Sequence, residues 1–155
     1  MSIILRVRPG QENERGPLYM ESAVAAIHSL DAEDTPIGLE IGMHEGLVAL
    51  YVRTTDNASP LIESQIYAQY PDTDIELVNT DPFIARESEE VTTLELELED
   101  PEIFPIKRHP QFDDMLTRAN MDPISGITSS LARYPIPGMR GYVQIVLSPL
   151  SGSFG

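Results

Sequence analysis

Three leucines and three glutamates alternate from Leu94 to Glu99. Side chains alternate faces along a strand, so Glu95, Glu97 and Glu99 would stand in one row. Such a row could grip a divalent cation with carboxylate oxygens, or it could be a solvated face that keeps an edge from pairing. No histidine or glycine-turn motif stands nearby, and the solvated face is the simpler reading. The acidic run Asp31 to Pro36, DAEDTP, lacks the D-x-D-x-D-G spacing and the distal glutamate of a calcium loop. It reads as a solvated connection.

The other reactive residue types are scattered. His28, His44 and His109 share no metal-ligand spacing. His28 reads as a helix-boundary residue rather than a ligand or base. His44 and Glu45 could act as an acid/base pair only with the right distance and burial. There is no cysteine, which removes disulfides, thiolate metal sites and thiol nucleophiles. No G-x-x-x-x-G-K-[ST], G-x-G-x-x-G or G-x-S-x-G occurs, and Ser125-Gly126 and Ser151-Gly152-Ser153 lack the context of a nucleophile elbow. Tyr67 and Tyr70 could stack bases, but they fall on a helix, and no R-G-F-G-F-like segment accompanies them. The residues therefore assign no catalytic, cofactor-binding or metal-binding role. They point to a chain that is not an enzyme.

Bulk properties narrow the partners. The 155 residues suit one compact domain or two closely packed halves, and 41% apolar content is ordinary for a globular fold. Twenty-five acidic residues face ten basic ones, a net charge of −15, and Lys107 is the only lysine. That charge repels a phosphate backbone, so no direct nucleic-acid binding is expected. The simpler account is solubility in a saline cytoplasm, and the sharper one is an acidic face that docks on a basic partner. The opening Met1–Pro9 is too short and too charged for a signal peptide, and no apolar run reaches membrane-spanning length. A cytoplasmic chain without membrane insertion is the expectation.

The elements that must position these residues follow from periodicity. Ile3, Leu5 and Val7 alternate with Ile4, Arg6 and Arg8 as a strand, closed by Pro9-Gly10. Pro17 opens a helix with Glu21 in its first turn and Met20, Ala23, Val24, Ile27 and Leu30 on its buried face. Ile37 to Met43 is a strand with Leu39, Ile41 and Met43 opposite Gly38, Glu40 and Gly42. A turn at His44-Glu45-Gly46 leads into the return strand Leu47 to Thr54, apolar on both faces and hence central. Ser59 caps a second helix with Pro60 at its first position, and Ile62, Ile66 and Tyr70 make the buried stripe. Pro71 stops it, and Ile75 and Leu77 mark a strand. Gln65, Tyr67 and Gln69 point away from the stripe and are the candidate partner contacts.

This order gives an α+β fold, with residues 1–80 a ferredoxin-like βαββαβ half and 81–90 a linker. Residues 91–155 then read as a strand at Leu94–Leu98, a short strand around Ile103, Phe104 and Ile106, a helical turn within Phe112–Asn120, a helix and a strand. The helix is capped by Asp122 and opened by Pro123, with Ile124, Ile127, Leu131 and Tyr134 buried. The strand carries Val143, Ile145 and Leu147. Ser59-Pro60-Leu61 echoes Asp122-Pro123-Ile124, and Tyr70-Pro71 echoes Tyr134-Pro135. The second half thus reads as a partial ββαβ repeat, packed on the first and covering the face of Leu47, Ala49 and Tyr51.

The run Glu63 to Val78, ESQIYAQYPDTDIELV, resembles the segment that precedes the ATPase in conjugative coupling ATPases of type IV secretion systems. The runs ERGPLYMESAVAAIHSL, FPIKRHPQF and DPISGITSSLARYP with GYVQIVL are similar too, so the resemblance spans Ile3 to Leu150. It implies an N-terminal accessory domain that positions or assembles a P-loop motor ATPase or another secretion component, peripheral to a membrane complex. The motor itself, with its Walker motifs, is not in these residues. A small-molecule-sensing domain of ferredoxin-like type is the alternative, with Gly38, Gly42 and Gly46 the region where an effector would sit.

Overall fold

The computed structural model describes residues 2–28, 36–99, 113–114, 119–120, 123–133 and 138–148. It is an α+β fold built on a five-stranded antiparallel sheet. The elements are β1 (Ser2–Arg8), α1 (Pro17–His28), β2 (Ile37–His44), β3 (Leu47–Thr55), α2 (Ser59–Gln69), β4 (Asp74–Val78), β5 (Asp113–Asp114), β6 (Ala119–Asn120), α3 (Pro123–Arg133) and β7 (Gly141–Leu147). The sheet order is β4-β1-β3-β2-β7, with β3 at its centre as its two apolar faces require. The short β5–β6 ladder stands apart from it.

Register decides which side chains share a face. Leu5 pairs with Val52, Val52 with Leu39, and Leu39 with Ile145. This row belongs to the face on which the core forms, where Leu5, Val7, Ile37 and Val52 meet Ile62 and Ile66 of α2. Ile62 and Ile66 are 1% and 4% exposed, so the α2 stripe lies where its spacing put it. Burying each such side chain is worth about 1.5–3 kcal/mol. Helix α1 packs on α2, and its Ala23 has no exposed surface.

The helix starts differ from expectation. Ala58, not Ser59, is the N-cap of α2, in helical conformation and without a side-chain cap bond. The Ala58 N–H donates to Thr55 O, and this turn starts the helix one residue early. Ser59 and Pro60 then occupy its first two positions. Glu21 is the fifth residue of α1 and lies beyond its first turn. Met20 is exposed, although its neighbour Tyr19 packs against Tyr70 at the end of α2. Leu30 lies outside the described residues.

At the β2–β3 hairpin His44 pairs with Leu47, leaving Glu45 and Gly46 as a two-residue turn. Both have positive φ, 52° and 78°, the backbone that matches the twist of a tight hairpin. Gly46 takes this at no steric cost, and Glu45 takes it with strain.

The second half departs most. Residues 91–98 form no strand, and the sheet edge beside β2 is taken by β7. Part of Phe112–Asn120 is the β5–β6 ladder instead of a helical turn; two facing backbone segments exchange hydrogen bonds there. Ile103, Phe104, Ile106, Asp122 and Tyr134 lie outside the described residues. Helix α3 rests against β2 and β3, but Ile124 and Ile127 are 48% and 36% exposed and Leu131 is half-buried. The expected buried stripe is therefore a largely open one. The strongest contacts of α3 among the described residues are with β2 and β3, whereas α2 packs against α1 and closes Ile62 and Ile66 into the core.

Candidate functional site

The face of the sheet away from α1 and α2 carries the chain's organised polar chemistry. Cross-strand pairing sets Glu76, Arg6, Tyr51, Glu40 and Gln144 in one row across all five strands. Glu40 is 2% exposed, between Gly38 and Gly42 on β2. Its Oε1 accepts from Arg53 Nε and from Gln144 Nε2, each at 2.7 Å. Its Oε2 is buried and accepts no hydrogen bond. Arg53 Nη1 reaches on to Asp81 Oδ2 at 2.8 Å, so one guanidinium spans two carboxylates. Burial by itself lowers the Arg53 pKa, but the hydrogen bonds that Arg53 donates to Asp81 and Glu40, with their charges, outweigh it and raise the value.

Residues 79–90, read from sequence as a linker, lie over this face. Asp81 Oδ1 accepts from the Phe83 N–H at 2.9 Å. Burial pushes the Asp81 pKa up, but the Arg53 and Phe83 hydrogen bonds and the charges of Arg53 and Arg140 outweigh it and hold the group below the usual carboxylate range. Arg140 donates to Pro82 O at 3.0 Å and pairs with Glu89. Phe83 itself sits directly over Gly42, where any Cβ would collide with its ring. Its ring packs edge-on against Tyr51 at 5.3 Å and tilted against Tyr142 at 4.9 Å. Tyr51 is 6% exposed, and burial, partly offset by Arg6, raises its pKa.

The cover over Tyr51 thus comes from Phe83, backed by Tyr142 of the second half. Leu47 stays exposed, so the covering reaches only part of the face. The glycines at 38 and 42 make room for Gln144 and Phe83 of this chain rather than an open effector site. Both were legible as gaps in β2, but their filling residues lie more than forty positions away. Glu40 was read as one polar residue on the face of β2 opposite Leu39; its burial was missed. Its glycine neighbours were the available signal, since a carboxylate flanked by missing side chains implies something lying on top.

A second cluster sits at the β1–β4 edge of the same face. Arg6 and Arg8 both donate to Glu76 Oε2, at 2.5 and 2.7 Å, and Arg8 also pairs with Asp74 at 3.0 Å. The Arg6 hydrogen bond and charge hold the Glu76 carboxyl below its ordinary range. These groups are half-exposed, so the cluster screens like any surface ion pair.

A cleft of about 380 Å³ lies at the loop before α1. It is lined by residues 10 and 12–15 together with Tyr19, Tyr70, Pro71, Asp72 and Thr73. Tyr19 and Tyr70 meet edge to face at 6.3 Å, Arg15 lies 5.1 Å over the Tyr19 ring, and its guanidinium also donates to Gln69 O. Glu40 and Asp81 are not among its lining residues, so the buried carboxylate and the cleft do not coincide.

Of the contact candidates, Tyr67 is exposed, while Gln65 and Gln69 are half-buried. His28 ends α1, where a cation suits the negative end of the helix dipole. Among the described residues no group of three or more His, Asp or Glu side chains converges to hold a metal ion. No described helix is long and apolar enough to cross a membrane. Glu95, Glu97 and Glu99 lie on an exposed segment with Leu94, Leu96 and Leu98, which are 85%, 88% and 56% exposed.

The chain belongs to a family described as a domain of unknown function, DUF8128, whose model matches residues 2–154. No curated protein matches it. No solved structure matches it.

Proposed function

We propose that the chain is a non-enzymatic interaction and assembly domain, serving a motor ATPase of the conjugative coupling kind. One observation carries the interaction reading. Val91, Leu94, Leu96 and Leu98 stand exposed within one short segment, and the buried charges of the sheet are already spent on internal pairs. Contiguous exposed apolar residues rimmed by charge mark interaction surfaces. The motor as partner is supported by the sequence resemblance, and that resemblance also suggests a cytoplasmic site at the periphery of a membrane secretion complex. The β4-β1-β3-β2 order, with two packed helices, supports reading the first six elements as a ferredoxin-like βαββαβ unit. On the same reading the second half is its partial copy, adding β7 to the sheet.

The test is co-elution of the purified chain with a purified coupling-ATPase motor domain at low salt. A stable complex is expected. Separate elution at micromolar concentrations overturns the reading.

The small-molecule reading has one observation in its favour, the 380 Å³ cleft with its tyrosine pair and Arg15. A ligand-dependent rise in melting temperature that disappears in Tyr19→Ala would support it.

A further inference from the structure

We propose that Val91–Glu99 is a docking strand whose occupant is an extended segment of a partner protein, one that alternates basic and apolar residues. The inference rests on the assembly reading above and names the chemistry of the partner.

The segment carries two rows. Alternation sets the leucines on one side and the glutamates on the other when the chain is extended, with same-side neighbours about 6.8 Å apart. No strand of the sheet pairs with it. The carboxylates are also unclaimed. Glu40, Glu76 and Glu89 each pair with an arginine of this chain, whereas Glu95, Glu97 and Glu99 take part in no ion pair or hydrogen bond among the described residues. Glutamates that merely blunt an edge would account for the acid row. They leave unexplained three leucines in the opposite row, two of them more than four-fifths exposed.

Charge selects the occupant. A second copy would bring a glutamate row against a glutamate row, between chains that each carry −15. Nucleic acid and anionic lipid are repelled for the same reason. A strand with Lys or Arg opposite the glutamates and Val, Ile or Leu opposite the leucines satisfies both rows and supplies the main-chain hydrogen bonds of strand addition.

The probe is a fluorescein-labelled eight-residue peptide alternating Val and Lys, with a control of the same composition in which the Val block precedes the Lys block. Fluorescence anisotropy against the full chain at low salt should show the alternating peptide bound about tenfold tighter than the control. Leu94→Ser with Leu96→Ser should erase that difference. Replacing Glu95, Glu97 and Glu99 by Lys should transfer the preference to an alternating Val and Glu peptide. Circular dichroism confirms that the variants stay folded. Equal binding of both peptides overturns the proposal, because bulk charge then suffices. So does a concentration-dependent dimer that the two serine substitutions dissociate, because a second copy is then the occupant. The assembly reading is separable: if the serine variant still co-elutes with the motor domain, the docking strand fails and that reading stands.

Discussion

Helices α2 and α3 begin almost alike, Ser59-Pro60-Leu61-Ile62 and Asp122-Pro123-Ile124-Ser125, yet they end in opposite environments. Ile62 and Ile66 of α2 are closed into the core, with α1 on one side and the sheet on the other. Ile124 and Ile127 of α3 keep a third to a half of their surface in water. A helical stripe thus says which side of a helix is apolar. It does not say whether the chain supplies enough neighbours to cover it. The first half covers the α2 stripe while leaving Leu18, Leu47 and Leu77 exposed, and the second half leaves Leu94, Leu96, Ile145 and Val146 exposed as well.

The largest effect that would break this contrast is truncation of the two stripes. Ile66→Ala should cost about 2–5 kcal/mol in urea unfolding followed by circular dichroism, as large-to-small changes in a packed core do. Ile127→Ala should cost less than about 1 kcal/mol, in the range of surface substitutions. Equal losses would mean that α3 is as much core as α2.

The same contrast holds for the two arginine clusters on the polar face. Arg53→Met should cost about 3 kcal/mol, because it strips a buried carboxylate of its one charged partner among the described residues. Glu40 has no exposed side-chain surface to fall back on. Arg6→Met, at the exposed edge, should shift the unfolding midpoint by no more than the scatter of the measurement. Next in size is Gly42→Ala, which must displace Phe83 and should cost about 1–3 kcal/mol, the usual range for overpacking. It should also change the near-ultraviolet circular dichroism of the tyrosines at 51 and 142.

The smallest effect is in acid. The Asp81 pKa is held below its ordinary value by Arg53 and the Phe83 N–H despite burial. Its contribution is therefore complete above the ordinary carboxylate range, near pH 4, and is lost as pH falls through the depressed value. Asp81→Asn should flatten the fall in stability below about pH 4 while leaving the slope at neutral pH unchanged. An unchanged acid limb would mean that residues 79–90 are not tied down through this pair.

How far the sequence could be read follows the same division. Alternation in Ile3–Val7 and Leu47–Thr54, and the Ile62–Ile66 spacing, announced their elements because each buries its stripe within a few elements of itself. Leu94–Leu98 has the strictest alternation in the chain and forms no strand, since alternation sets which side chains share a side and does not by itself supply a pairing partner. The Ser59 cap was displaced by a backbone turn at Thr55–Ala58 that competes for the same helix start. The polar network was illegible for a plainer reason. Glu40, Arg53, Asp81 and Gln144 are separated by up to 104 positions and meet only through the register of β2 with β3 and β7. Residues 81–90 read as a linker because they are polar, and Asp81 and Glu89 are polar because they bind arginines beneath them.

The central claim is that the exposed apolar row of the second half exists for a partner and not for the fold. It is tested most directly by one pair of readings on the Leu94→Ser, Leu96→Ser chain. The expected result is a stability within about 0.5 kcal/mol of the parent, together with loss of the complex with the motor domain and of the alternating Val and Lys peptide. A clear drop in stability would show the leucines to be core, and unchanged binding to both would show that the row is not the docking surface.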